Sequence, residues 1–427
     1  MRNDPRSHGL WEQTAPAAPR TTPLEETLTV DVAIIGAGYT GLSTALHLAH
    51  RGMSSAIVEA EEIGFGGAGR NVGLVNAGMW VMPEDLPGRL GADYGNRLIR
   101  LLGDAPAQVW ELVKRYNMEC EANPVGTLHA GVGAKGLAEL TERARQWQRL
   151  GAPVELLDKA EAARMLGTGC YEGALLDRRA GTIQPLAYAR GLAHAATGHG
   201  VRIFTGSPAT SIDRDGHLWR VKTPRGALRA ASVVLATDAY SRLVMQDIAR
   251  EQVILPYFNM ATAPLPADVA AQMVPGRQGV WDTKEVLSSF RFDRQNRLVF
   301  GSVGALRNTG TAVHRAWAKR ALRKIFPQIG EVRFEHEWFG QIGMTQGNLP
   351  RFHRLEDGIV SFCGYNGRGI APGTVFGQQL AALLAGEITE GELALPVSAT
   401  APAAWRNLRS AFYEAGAQLV HLAGARF

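Results

Sequence analysis

The sequence predicts an α/β protein in which a Rossmann-like, parallel-sheet domain is joined to a second, α+β domain built on an antiparallel sheet. Three observations carry this expectation. The stretch "VDVAIIGAGYTGLSTALHLAHRGMSSAIVEA" (30–60) reads as strand, glycine-rich turn, helix and strand. Between residues 181 and 240, "VRIFTG" and "ASVVLAT" return to the same short, buried-strand character. From Val253 to about Gly340 the pattern changes to longer strands such as "RLVFGSVG". At 427 residues the chain is long for one core, so two intimately joined domains are expected.

Residues 1–28, rich in Pro, Thr and Ala, are expected to form an extended arm. Residues 29–90 hold the first part of the nucleotide-binding domain. Residues 91–180 read as a mixed segment, with helices from about Tyr94 to Tyr116 and from Gly136 to Leu150. The first domain resumes over 181–250, where "PLAYARGLAHAATGHG" is a helix stopped by glycine. Residues 251–340 form the second domain, with a basic helix around Trp317–Phe326. The chain re-enters the first domain over 341–427 through "DGIVSFCG" and ends in an amphipathic helix. Its stripe of Leu408, Ala411, Phe412, Ala415 and Leu419 is expected to dock on the protein's own surface, in preference to a peripheral membrane contact.

Composition narrows the function classes. The net charge of +5 comes from 45 basic residues scattered among 40 acidic ones, which does not make a nucleic-acid face. Cys120, Cys170 and Cys363 are far apart and form no CxxC pair. A disulfide scaffold is not expected, and a reducing, cytoplasmic setting is. The N-terminal stretch lacks the apolar run of a signal peptide, and no segment approaches the roughly 20 apolar residues of a membrane span. His314, His336 and His353 show no metal-ligand spacing, so no metal is expected.

The chemistry lies in the glycines. Gly36, Gly38 and Gly41 give G-x-G-x-x-G: a tight turn, a close backbone approach to a pyrophosphate, and close packing of helix on strand. Tyr39 and Thr40 open the helix, whose N-terminal N–H groups aim at the phosphates. Glu59, followed by Ala60, ends the second strand and is placed to accept hydrogen bonds from an adenosine ribose. This motif leaves NAD and FAD open. A second glycine loop, "EEIGFGGAGRNVGLVNAG", follows directly, where a nicotinamide dehydrogenase would more often begin another βα unit. Its backbone N–H groups can line a flavin, and Arg70 and Asn71 offer donors.

On these residues the chain resembles the FAD-dependent D-amino acid oxidase superfamily, in particular the branch containing gamma-glutamylputrescine oxidase and L-pipecolate oxidase. "GFGGAGRNVG" is similar to that branch's GFGASGRNGG, with Gly67, Ala68 and Val72 as departures. "VVLATDAYS" resembles the strand ending A-T-G, with Asp238 in place of the glycine. "FCGYNGRGIAPGTVFGQQLAALLAG" resembles the C-terminal flavin motif, with Asn366 and Arg368 at its Ser and His places. The resemblance implies an FAD-binding domain of the glutathione-reductase/p-hydroxybenzoate-hydroxylase-like kind and a substrate domain. It implies that Gly36, Gly38, Gly41 and Glu59 hold the adenosine diphosphate half of FAD, with Ala209 by the adenine and Ala236 and Thr237 in the A-T-G strand end. Arg70, Asn71, Gly73 and Leu74 would lie near the flavin ring, and Gly367, Arg368, Gly369, Ile370 and Thr374 at its pyrimidine end. FAD is expected to be non-covalent, since "WFGQIGMTQGNLPRF" lacks the cysteine to which sarcosine oxidases attach it.

A flavin beside an amine supports hydride transfer from the carbon next to nitrogen to flavin N5, giving an imine. An amino-acid substrate calls for an arginine fork on its carboxylate, and Arg368 and Arg291 are the candidates. Tyr365, Tyr257, Trp80 and Trp281 are candidate pocket walls. The favoured substrate is a secondary amino acid such as L-pipecolate; gamma-glutamylputrescine or another polyamine conjugate is the alternative. A non-catalytic flavin-binding subunit or sensor is the reading from another class. The sarcosine-oxidase branch has a lysine over the flavin that assists reaction with oxygen. The matching stretch "RLVFGSVG" has none, so the electron acceptor is either oxygen or a respiratory-type partner.

Overall fold

The structure, a computed structural model, describes residues 8–241, 244 and 246–424. Two eight-stranded sheets organise it. The first has a parallel centre in the order Arg202–Phe204, Ser55–Val58, Thr27–Ile35, Ala227–Leu235, Ile359–Cys363. Arg351–Glu356 adds an antiparallel edge, and the hairpin Ser211–Asp215 with Leu218–Lys222 pairs with the first half of Ala227–Leu235. The central strands read as continuous apolar runs because helices cover them. Helix Tyr39–Ala49 packs between Pro185–Gly198 and Ile370–Leu384, and the long helix Ala92–Arg115 packs on Ile370–Leu384.

The second sheet runs Phe334–Met344, Val253–Thr262, Leu298–Val303, Ser288–Phe292, Gly279–Asp282, Thr127–Gly131, Gly173–Asp177, Val154–Leu157. Every pair is antiparallel except Gly279–Asp282 with Thr127–Gly131, which is parallel. The mixed segment 91–180 therefore supplies strands to the second sheet, and that sheet extends to Met344. Helix Thr309–Ile325 covers it through Trp317, Ala318 and Leu322, which are buried with Phe258, Phe290 and Phe300.

Two expectations change. Residues 1–7 of the expected arm lie outside the described residues, and the next part is not extended: Leu10–Thr14 is a helix whose Leu10 and Trp11 are fully buried. Trp11 packs edge-on against Trp338 and donates its indole N–H to the Asn71 carbonyl at 2.9 Å. The terminal helix, Arg406–Ala423, docks by Ala417 and His421, while Leu408, Phe412 and Leu419 face outward. Among the described residues no helix is long and apolar enough to cross a membrane.

Candidate functional site

Between the two sheets lies a cavity of about 1350 Å³. Ordinary small-ligand pockets run to roughly 1,000 Å³, so this one has room for a dinucleotide and a further small molecule. Its walls come from both layers: Ile35, Val58 and Leu235 at strand ends of the first sheet, and Leu255, Tyr257, Trp281 and Val303 of the second.

The first glycine turn sits at one end. Gly36 has φ +108°, and a Cβ on Gly41 would lie 2.0 Å from the Gly36 carbonyl oxygen, so that contact admits only glycine. Glu59 closes the adjoining strand; its carboxylate accepts the N–H of Ala37 at 2.8 Å and of Glu61 at 3.0 Å. Burial raises its pKa, and those N–H groups oppose the rise. Helices Tyr39–Ala49 and Ile370–Leu384 both begin at the wall, and neither has a side-chain cap. Their open N-terminal N–H groups and positive dipole ends are therefore free for anionic groups of a ligand. This donor set fits FAD.

The second loop is shaped by its own asparagine. The Asn71 amide donates to the carbonyls of Gly67 (2.9 Å) and Ala68 (3.1 Å), and its oxygen accepts the Gly73 N–H at 2.9 Å. Expected as a donor to the ring, it spends its polar atoms on the loop. Arg70 differs: its carbonyl is held by Asn259 and Trp338, its guanidinium lies 4.3 Å from the Phe65 ring centre, and its buried Nε has no hydrogen-bond partner among the described residues.

Most of the expected cofactor residues share this cavity: Gly36, Gly38, Tyr39, Thr40, Glu59, Ala60, Gly67, Ala68, Arg70, Asn71, Val72, Leu74, Ala209, Ala236, Thr237, Gly367, Arg368, Gly369 and Ile370 all line it. Gly41, Gly73 and Thr374 stand behind the wall. A Cβ on Gly73 would lie 2.0 Å from the Ile183 carbonyl, and the Thr374 hydroxyl donates to the Ile370 carbonyl at 2.9 Å.

Of the substrate candidates, Arg368, Trp80, Trp281, Tyr257 and Tyr365 line the cavity and Arg291 does not. Arg291 is 2% exposed and is consumed by the Ile183 and Phe292 carbonyls and by Glu121 at 3.3 Å; it is a structural arginine. Arg368 lies over Trp80 (4.4 Å) and Trp281 (5.5 Å), and among the described residues its guanidinium makes one hydrogen bond, a long one to the Ala77 carbonyl at 3.4 Å. Burial, aided by repulsion from Arg143, pushes its pKa down to about 9. Among the described residues no carboxylate pairs with it. Tyr365 shares a 2.5 Å hydrogen bond with Thr40, and Trp80 donates to the Asn366 carbonyl at 2.7 Å.

Sequence reasoning did not single out Arg143, Glu139, Lys284 or Glu285, all of them on the cavity wall. Arg143 donates to the Met79 and Trp80 carbonyls and so positions Trp80. Only Arg143 carried a signal, as the one charge among the buried residues of helix Gly133–Arg149. Outside the cavity, the fold brings ligand atoms of Glu251, His353 and Cys363 within 4.8 Å of one another. The Arg351 guanidinium, 3.8 Å from Glu251, already supplies positive charge there.

With the geometry in hand, the comparisons are specific. The profile of the family described as FAD dependent oxidoreductase (DAO) matches residues 31–383. Gamma-glutamylputrescine oxidoreductase of Escherichia coli (strain K12) is 34% identical over 373 residues, covering 85% of each chain. Glycine oxidase from Geobacillus kaustophilus superposes with a TM-score of 0.69 at 21% identity, over 88% of this chain and 99% of that one. L-proline dehydrogenase from P. horikoshii gives 0.70 at 17% identity, over 87% and 96%. These two solved structures share the fold.

Proposed function

The chain belongs to the FAD dependent oxidoreductase family, and from that membership we propose that it oxidises the amine of a carboxylate-bearing polyamine conjugate such as gamma-glutamylputrescine. The observation that carries the reading is Arg368, a guanidinium in the cavity wall that pairs with no carboxylate among the described residues. A half-buried arginine without an acidic partner is costly, and a bidentate substrate carboxylate relieves it. Trp80, Trp281, Tyr257 and Tyr365 give aromatic faces on which an alkylamine can lie. Glu139 and Glu285 add acidic groups for a second cationic nitrogen, which a polyamine conjugate has and L-pipecolate lacks.

In this reading Gly36, Gly38 and the start of helix Tyr39–Ala49 hold the pyrophosphate of FAD, Glu59 the adenosine ribose, and Ala209 the adenine. The start of helix Ile370–Leu384 and Arg70 attend the ring. Bound FAD supplies a two-electron acceptor for the hydride on the carbon next to nitrogen. The chain's own residues orient that C–H bond and exclude water: Arg368 fixes the carboxylate, the tryptophans flank it, and Arg143 holds Trp80 in place. Lys284 contributes a cation to the same wall, and admitting air to reduced protein distinguishes oxygen from a respiratory-type acceptor.

The test is anaerobic mixing of flavin-loaded protein with gamma-glutamylputrescine, putrescine, L-pipecolate, sarcosine and D-amino acids, following flavin absorbance. Bleaching by the conjugate is expected. Bleaching by L-pipecolate alone restores the cyclic amino-acid substrate, and none by any amine favours a flavin-holding subunit. Arg368→Leu should lower kcat/KM for the conjugate by roughly 2–5 kcal/mol, about 30-fold or more, and leave putrescine turnover unchanged. An equal loss on putrescine would remove the carboxylate role.

A further inference from the structure

We propose that the terminal helix Arg406–Ala423 is a self-association surface that takes a second copy of this chain in antiparallel pairing. The helix has two opposed faces. One holds it to the body: Ser410 accepts the Ile254 N–H at 3.0 Å, Glu414 pairs with Arg307, Ala417 is buried, and His421 Nδ1 meets His314 Nδ1 at 2.7 Å. The other face presents Trp405 (77% exposed), Leu408 (65%), Phe412 (70%), Leu419 (68%) and Leu422 (48%), with exposed Ala415 among them. Five of the nine large apolar side chains exposed on the described surface lie on this helix and a sixth, Trp405, immediately precedes it, so the apolar area is a patch and not scatter.

The spacing identifies the occupant. Trp405, Leu408, Phe412, Ala415, Leu419 and Leu422 alternate steps of three and four residues, the seam of a helix that pairs with another helix. About a dyad between residues 413 and 414, an antiparallel copy sets Trp405 against Leu422, Leu408 against Leu419 and Phe412 against Ala415. At the centre large meets small, Phe412 on Ala415, as packing requires. Parallel pairing would stack Phe412 on Phe412, leave Ala415 facing Ala415, and oppose two Arg409 side chains; antiparallel pairing gives Arg409 the neutral Gln418. An anionic membrane fits less well, because the helix carries no lysine and Arg406 is bonded to the Gln252 carbonyl at 2.7 Å. Ala411, Gly416 and Ala423 flank the seam and permit close approach. A single helix seam of roughly 27 Å is a small interface, so dissociation on dilution is expected.

Sedimentation velocity of the flavin-loaded, full-length protein across the micromolar range should show the mass double with concentration. Phe412→Glu and Leu419→Glu should each remain monomeric, with flavin content and turnover unchanged. In a Cys170→Ser background, oxidation of mixed Leu408→Cys and Leu419→Cys chains should give a cross-linked dimer that neither chain forms alone. A monomer at every concentration, a dimer that survives both glutamates, or cross-linking of Leu408→Cys to itself would overturn the proposal. So would stripe-dependent adhesion to anionic vesicles by a protein that stays monomeric.

Discussion

Asp238 occupies a backbone position that favours glycine, with φ +38°. Its carboxylate repays part of that strain by accepting the Gly364 N–H at 2.7 Å, which ties the end of strand Ala227–Leu235 to the loop carrying Arg368. Burial pushes its pKa up to about 6, against the N–H groups of Gly364 and Ala239. Between about pH 4 and 6 the folded chain therefore holds a proton that the unfolded chain has released, so the group costs folding nothing below that window. As pH rises through it, stability falls, and above pH 6 the ionised carboxylate is a standing cost of at most about 3 kcal/mol. Asp238→Asn keeps the acceptor and removes the titration. In flavin-free protein its Tm should exceed that of the parent above pH 7 and approach it near pH 4.5; a constant difference across that range would refute the assignment. The resemblance marked Asp238 as a departure, but its partner lies 126 positions away and was not readable. Arg291 and Arg368 were both candidate forks in one dimension, with Arg368 the preferred one. Only the fold delivers Glu121 and the Ile183 carbonyl to Arg291 and, among the described residues, gives Arg368 no acid.

Elements with a strong internal period were legible. Expected helices at 94–116 and 136–150 appear as Ala92–Arg115 and Gly133–Arg149, and the strand–turn–helix at Gly36 appears in place. The terminal helix was legible as a helix and misread in orientation, because an apolar stripe normally marks the docked face. Here docking rests on stacking and hydrogen bonds: the Trp317 and His421 rings stand 3.7 Å apart, and Phe258 stacks on His314. Burial pushes the His314 pKa down to about 4, with Glu414 opposing; His421 falls to about 3 through burial, His314, Arg320 and Lys284. Both are docked as neutral rings. A released helix binds protons below about pH 6.5 that the docked one refuses, so docking weakens as pH falls toward 4. Hydrogen exchange over residues 405–424 should accelerate at pH 5 relative to pH 7.5, beyond the intrinsic change in rate. Unchanged protection would show that other contacts hold the helix.

At the scale of the whole molecule, the sequence announced two domains and a segment order for them, but left 91–180 as a mixed stretch. The parallel pairing of Gly279–Asp282 with Thr127–Gly131 joins distant parts of the chain and has no local signature. Because both sheets wall one cavity, a ligand there should stabilise both. Removing FAD should lower Tm by several degrees, since ligand at 1,000 times Kd contributes about 4 kcal/mol. Exchange should rise both around Gly36 and along Val253–Thr262; a rise confined to the first sheet would mean the layers are uncoupled. The Trp11–Trp338 contact beneath the second glycine loop also orders events in time. A ribosome adds Trp338 more than 300 residues after Trp11, roughly 15–65 s at usual elongation rates. The flavin loop thus gains its support late in synthesis, and a nascent chain is expected to reach that point before it retains the cofactor.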